Sequence, residues 1–198
     1  MVDQPAHNPS SGSRSTADDD TLMQRLRDGN VGAAAALTRR YWDAIWRFAA
    51  NYLGDESLAE DVTQDTFAKL LNPELLPEGA VRPWLYKVAR NRCLDIIRRH
   101  GRSPTHNRNI RTGFDAQTQT AGPQTRMNRD ERQALIRQII DQMPDDHRSV
   151  LMLKYFEGLS REEIAGALEL TDAAVKGRLA RASEALRSEL ARITGTWQ

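Results

Sequence analysis

The most constraining feature of this chain is a pair of helix starts only eleven residues apart, within residues 159–187. Ser160 is followed three positions later by Glu163, the pattern of a capping box, and Thr171 begins a second helix. Only Glu169 is left to make the turn, although glycine usually occupies the left-handed position of so tight a turn. This spacing predicts a helix-turn-helix motif.

The second helix of such a motif often lies in the major groove of DNA, with its basic side chains at the phosphates. Lys176, Arg178 and Arg181 are placed for that role. A helical hairpin with a solvated basic face is the alternative. The two consecutive helix caps favour the DNA-binding interpretation.

Charge is segregated along the chain, although the net charge is only +1. Residues 17–80 hold six Arg or Lys against twelve Asp or Glu, whereas residues 82–111 hold nine Arg or Lys against one Asp. An acidic surface next to a basic one indicates two different partners, a protein and a polyanion. Two solvated faces without partners are the alternative.

Helical spacing recurs throughout and strand alternation is absent, so the predicted fold class is all-α. We expect two small helical domains joined by a flexible linker, the C-terminal one containing the helix-turn-helix. The predicted divisions are a disordered N-terminal tail over 1–20, a first domain over 21–102, a polar linker over 103–128 and a second domain over 129–198. Helices are predicted in the first domain over 21–28, 30–53, 55–71 and 83–100.

The remaining composition indicates a cytoplasmic protein. No apolar run approaches the roughly 18 residues of a membrane span, and the polar N-terminus does not resemble a signal peptide. The lone Cys93 cannot form an internal disulfide, and no Cys/His spacing resembles a metal site.

The predicted helix over 82–100 carries side chains suited to unpaired bases. Flat aromatic side chains can stack on unpaired bases, an amide can form hydrogen bonds with the edge of a base, and cations can bind the phosphates. The candidate residues for binding a melted strand are Trp84, Tyr86, Lys87, Arg90, Asn91 and Arg98. A core position is the alternative for the tryptophan. On the preceding helix, the residues expected to face outward are Glu60, Asp61, Gln64 and Asp65.

The chain resembles the bacterial sigma factors of the extracytoplasmic-function (ECF) type. Like them, it combines an acidic-then-basic first module, a linker and a terminal helix-turn-helix. The segment AEDVTQDTFAKL (59–70) is similar to the family's polymerase-docking region. RPWLYKVARNRCLDIIRR (82–99) is similar to its promoter-melting helix, and residues 143–186 resemble the domain that reads the upstream promoter element. The resemblance covers residues 21–102 and 129–190.

The resemblance implies that Glu60, Asp61, Gln64 and Asp65 face core RNA polymerase. It also implies that Asn91 contacts a base flipped from the non-template strand, with the loop 72–82 helping to form the pocket. The positions matching the family's recognition helix are Lys176, Gly177, Arg178, Ala180 and Arg181, beside the helix-capping Thr171. Gly177 and Ala180 are smaller than the family's usual residues there, so contacts to phosphate would dominate over base readout.

The expected function is that of a sigma factor, which binds core RNA polymerase and promoter DNA, duplex upstream and single-stranded downstream. An anti-sigma inhibitor is common in the family. A stand-alone helix-turn-helix regulator is the alternative function. An enzyme is excluded by the absence of a Gly-rich phosphate loop, an HExxH motif and a nucleophile elbow, and no cofactor is expected.

Overall fold

A computed structural model describes residues 10–101 and 129–195, and every regular element in those ranges is helical, which confirms the all-α class. The helices are α1 Ser10–Arg27, α2 Val31–Leu53, α3 Glu56–Ala68, α4 Val81–Gly101, α5 Arg129–Gln142, α6 Asp145–Leu151, α7 Arg161–Leu168 and α8 Asp172–Thr194. Two 3-10 turns, Lys69–Leu71 and Pro73–Leu75, follow α3, and a π-helical turn, Met152–Phe156, follows α6. The predicted linker 103–128 lies outside the described residues.

Local capping signals set the ends of α2 and α3. The Asn30 side chain accepts a hydrogen bond from the backbone N–H of Gly32 at 2.9 Å and begins α2. Gly54 ends α2 in the left-handed conformation, with a φ of 69°. Asp55 then caps α3 by accepting from the N–H of Leu58 at 2.9 Å. These starts and stops agree with the sequence prediction.

Helix α1 begins earlier than predicted. The sequence predicted disorder through residue 20, but α1 starts at Ser10 and continues to Arg27. The carboxylate of Asp19 is buried and accepts hydrogen bonds from the Tyr41 hydroxyl and the Arg40 guanidinium, both on α2. These contacts hold Asp19 in place across a separation in sequence that local composition does not reveal. Residues 1–9 lie outside the described part of the chain.

Helices α1–α4 form a first helical group and α5–α8 a second, and their apolar side chains join in one core. Helix α2 runs through that core: Leu37, Ile45 and Phe48 are fully buried, and Trp42 and Trp46 are half-buried against the same core. The fully buried side chains with the largest volumes come from both groups: Tyr52, Tyr86, Phe48, Met23, Leu37, Ile45, Leu53, Leu70, Leu85, Ile140, Leu151 and Met152. The two groups are therefore packed together rather than separated. Within 10–101 and 129–195, none of the helices combines the length and apolar composition that crossing a bilayer requires.

A buried guanidinium joins the two groups. Arg148, on α6, is 3% exposed and donates to the backbone carbonyl of Tyr52 at 2.6 Å and to the carboxylate of Asp141 at 2.9 Å. Its guanidinium carbon lies 4.3 Å from the centre of the Tyr52 ring, within the range of a cation–π contact. Because Tyr52 is in the last turn of α2, the positive charge also lies at the negative end of that helix.

We expect Arg148→Met to lower the free energy of unfolding by about 2–3 kcal/mol, because it leaves the buried Tyr52 carbonyl without its charged donor. Chemical denaturation followed by circular dichroism measures the change. Arg187→Met is the matched control: this side chain is 72% exposed, so its loss should change stability by less than about 0.5 kcal/mol. Equal losses in the two variants would contradict the assigned role of Arg148.

Candidate nucleic-acid interface

The helix-turn-helix forms as its capping residues predict. The Ser160 hydroxyl accepts from the N–H of Glu163 at 3.1 Å, and the Glu163 carboxylate accepts from the N–H of Ser160 at 2.8 Å, which completes the capping box. Glu169 makes the turn in the left-handed conformation with a φ of 56°. Thr171 caps α8 by accepting from the N–H of Ala174 at 3.2 Å. A non-glycine residue at such a φ costs roughly 1 kcal/mol, so the turn is mildly strained.

Helix α8 presents an exposed face near its start. Val175 and Ala182 are buried against the core, while Lys176, Ala180 and Arg181 are exposed. The predicted residues Lys176, Gly177, Ala180 and Arg181 lie together on that face at helical spacing.

Arg178 does not share this face. It lies three residues after the buried Val175, and its Nη1 forms an ion pair with Asp146 Oδ1 of α6 at 3.1 Å. Its side chain is 24% exposed. Thr171 is exposed, but its hydroxyl is occupied by the cap of α8. The described conformation therefore leaves Lys176 and Arg181 as the accessible cations among the predicted residues of this helix.

The predicted acidic face of α3 is exposed, as expected: Glu60, Asp61, Gln64 and Asp65 are all accessible. Gln64 donates to Glu60 at 3.2 Å along the helix. Asp65 pairs with Arg92 of α4, with Nε and Oδ2 2.8 Å apart. The acidic face of α3 and the basic helix α4 are thus joined by an ion pair.

The prediction that Tyr86 is exposed is wrong. This side chain is 2% exposed, packs edge-on against Phe48 and donates its hydroxyl to Glu157 Oε2 at 2.9 Å. Trp84 is half-buried and packs against the shared core. The periodicity of α4 could not show this, because the residues that bury Tyr86 lie on other elements: Phe48 comes well before it in the chain and Glu157 well after it.

The basic side chains in the first half of α4 contact the second helical group. Lys87 Nζ lies 2.7 Å from Glu169 Oε1, and Arg90 donates its Nε–H to the Ser149 hydroxyl at 2.7 Å. The later predicted residues Asn91 and Arg98 are exposed; Arg98 pairs with Asp95 at 3.5 Å. Only the second half of the predicted face is therefore open to solvent.

Several residues at this junction were missed by the sequence analysis. Arg82 forms an ion pair with Glu163 at 2.7 Å and donates to the carbonyl of Glu157 at 2.9 Å. Ser149 accepts from Arg90 and shares a hydrogen bond of 3.0 Å with the Tyr52 hydroxyl. No local pattern marks these partners. The one available signal was Glu157 itself, a carboxylate directly after the segment 150–156, in which Lys154 is the only charged residue.

Burial controls the protonation of the Tyr86–Glu157 pair. Desolvation raises the pKa of Glu157, and the hydrogen bond from Tyr86 opposes that shift. Burial likewise raises the pKa of Tyr86, so the phenol stays protonated and donates. Glu157 Oε1 is buried and has no hydrogen-bond partner within the described ranges. The ionised carboxylate is therefore incompletely compensated.

We expect Glu157→Gln to stabilise the protein by about 1 kcal/mol near neutral pH, because the amide oxygen still accepts from Tyr86 without a buried charge. The folded-state pKa of Glu157 lies above that of an ordinary glutamate, about 4.3, so the wild type loses stability as pH rises from there through the folded pKa. The advantage of the variant should therefore vanish as pH falls toward the ordinary pKa of a glutamate. Denaturation at several pH values measures it, with Glu162→Gln, an exposed position, as the control. A gain independent of pH would contradict this cause.

Comparison with known proteins finds matches in both helical groups. Residues 37–103 match the Sigma-70 region 2 family and residues 133–186 match the Sigma-70 region 4 family. The ECF RNA polymerase sigma factor SigL of Mycobacterium tuberculosis is 35% identical, over 82% of this chain and 93% of its own length. The RNA polymerase sigma-H factor of Pseudomonas aeruginosa is 31% identical, over 87% of this chain and 93% of its own length.

A solved structure, CnrH in complex with the cytosolic domain of CnrY, is similar with a TM-score of 0.63 and 25% identity. The match covers 88% of this chain and 97% of the CnrH chain. Two family matches in the expected order, together with relatives aligned over most of both chains, decide the family. This chain belongs to the ECF sigma factors, the non-enzymatic subunits that direct RNA polymerase to promoters.

Proposed function

We propose that this sigma factor works through three surfaces: the outward face of α3, the basic face of α4 and the exposed face of α8. The observation that carries the proposal is the arrangement of opposite charges on two adjacent helices. The Asp65–Arg92 ion pair links the acidic α3 to the basic α4. A protein-binding surface and a nucleic-acid-binding surface can therefore be held in fixed relation.

The outward face of α3 is the proposed contact with core RNA polymerase. Glu60, Asp61, Gln64 and Asp65 are exposed on a helix whose opposite side, including Val62 and Phe67, is buried. A rigid helix presenting carboxylates suits a basic surface on the polymerase and would steer association electrostatically.

Helix α4 is the proposed contact with the melted strand. Asn91 offers an exposed amide for a base edge, and Arg98 offers an exposed cation for phosphate. The segment 72–82, which leads into the first turn of α4, would help to hold a flipped base, and the exposed Leu75 in its 3-10 turn supplies apolar surface. Strand opening is then driven by binding energy, without chemistry on the base.

The exposed face of α8 is the proposed contact with the upstream duplex. Lys176 and Arg181 would bind phosphates, while Gly177 and Ala180 allow close approach to the groove. With few large polar side chains on this face, phosphate contacts would supply most of the affinity.

An anti-sigma protein is a further proposed partner, and the cytoplasm is the proposed compartment. The support is the similarity to CnrH, which was solved with the cytosolic domain of CnrY.

Transcription with purified core RNA polymerase tests the proposed function. The protein is added to core enzyme and sheared genomic DNA, and the 5′ ends of the transcripts are sequenced. New start sites that share two spaced upstream motifs are expected. No new start sites with an active core enzyme, together with dimeric binding to a palindrome, would instead favour a stand-alone regulator.

We expect Arg181→Ala to weaken binding to the upstream promoter duplex about fivefold and to reduce the slope of log affinity against log salt by about 1. Fluorescence anisotropy at several salt concentrations measures both quantities. Arg187→Ala is the matched control, because it removes the same charge from an exposed position later on the same helix. If both variants lose the same affinity, α8 acts only through its overall charge.

We expect Asn91→Ala to reduce open-complex formation about tenfold while leaving polymerase binding unchanged, because a bidentate amide contact is worth about 1–3 kcal/mol. Permanganate reactivity of unpaired thymines measures opening, and co-elution with core enzyme measures binding. Weakened polymerase binding would mean that this part of α4 belongs to the protein interface. Unimpaired opening would remove Asn91 from the proposed base contact.

A further inference from the structure

We propose that Arg27, in the last turn of α1, is a positioning residue that holds the segment 72–82 in the conformation that receives a flipped base. Its guanidinium Nη2 donates to the backbone carbonyl of Pro77 at 2.6 Å, although the two residues are 50 positions apart in sequence. The inference rests on the proposed function, which assigns base capture to this segment. Helix α1 thereby takes part in promoter recognition without itself contacting the base.

Helix α1 is a firm base for this contact. Met23 and Leu26 are 1% and 7% exposed, so the inner side of the helix is buried in the core. One turn earlier, the buried carboxylate of Asp19 accepts a hydrogen bond from the Tyr41 hydroxyl of α2. Arg27 follows Leu26 directly, so its backbone is fixed while its exposed side chain reaches the segment.

The segment is fixed at its two ends by its own residues. Asn72 caps the 3-10 turn Pro73–Leu75 with its side chain, and Val81, at the start of α4, is 1% exposed. The stretch between these ends is open: residues 78–80 are exposed, and a Cβ placed on Gly79 would meet no neighbouring atom within 4 Å. The shape of this stretch therefore depends on what holds it just before residue 78.

Arg27 supplies that hold. Within 10–101 and 129–195, no other side chain forms a hydrogen bond with residues 76–79. Leu76 is half-buried against the core, and the ring of Pro77 fixes its φ, so few backbone torsions are free around the bonded carbonyl. One charged donor here limits the orientation of the whole turn. A pocket formed in advance avoids the entropy cost of ordering a loop when the base enters.

The contact can be removed without disturbing the core, because Arg27 is exposed. Arg27→Met removes the donor and keeps a long side chain, whereas Arg27→Lys keeps a charged donor. Arg25→Met is the matched control, since Arg25 is exposed and carries the same charge in the same last turn of α1. Circular dichroism should show equal helix content in all three variants.

A spin label on the segment measures the hold directly. Glu78→Cys provides an exposed attachment site, and the native Cys93 should stay unlabelled, because it is buried and burial raises the pKa of its thiol to about 12. We expect Arg27→Met to narrow the electron paramagnetic resonance lines, while Arg27→Lys and Arg25→Met stay close to the wild-type spectrum. Unchanged mobility in Arg27→Met would overturn the inference.

Base capture is measured with the protein bound to core RNA polymerase. The complex is titrated with fork DNA from a promoter identified by transcript mapping, and each base of the single-stranded non-template tail is replaced in turn by an abasic site. In the wild type, one position should lose about tenfold in affinity, as expected for a base held in a pocket. We expect Arg27→Met to shrink that loss to about twofold, a change of about fivefold or 1 kcal/mol. Its affinity for the probe that is abasic at this position should be unchanged.

A general structural effect gives a different result, because it weakens binding to every probe alike. Such a uniform loss in Arg27→Met would overturn the inference. Arg27→Lys should recover most of the position-specific loss, and Arg25→Met should retain all of it. An effect of equal size in Arg25→Met would also overturn the inference, because net charge would then explain the result.

Failure of the proposed function is distinguishable from failure of this inference. A wild type with no position-specific loss would overturn base capture by the segment, and the inference with it, whatever the spin label shows. A wild-type loss that persists undiminished in Arg27→Met would leave base capture standing and overturn only the role of Arg27.

Discussion

The burial of one cation, Arg148, determines how the second helical group lies on the first. A guanidinium with 3% exposure needs acceptors in place of water, and it finds them on Tyr52 at the end of α2 and on Asp141 of α5. Because Ser149 follows Arg148 directly on α6, the same contact brings the Ser149 hydroxyl to Tyr52 and to Arg90 of α4.

Local features of the sequence predicted the local features of the structure. Helix caps, such as those at Ser160 and Thr171, involve residues within one turn, so their pattern is readable directly. The outward acidic face of α3 was predicted for the same reason, since helical periodicity separates exposed from buried positions along one element.

The errors all concern partners distant in sequence. Tyr86 was assigned to the surface, and Asp19 to a disordered tail, because their hydrogen-bond partners are 71 and 22 positions away and the Phe48 ring that packs on Tyr86 is on another helix. Among the basic residues of α8, Arg178 and Arg181 looked equivalent, but Arg178 lies beside the buried flank and meets Asp146 of another helix. The docking of one helix on another, rather than the pattern along either, decides which charges are accessible.

The ion pairs across α4 change how ionic strength acts on this protein. Salt screens the contacts between a polyanion and its cations, but it screens the Arg82–Glu163 and Lys87–Glu169 pairs as well. These pairs are partly exposed, so added salt weakens them, whereas it does not weaken the apolar core that the two helical groups share. Ionic strength therefore sets how much of the attachment between the groups is polar and how much is apolar.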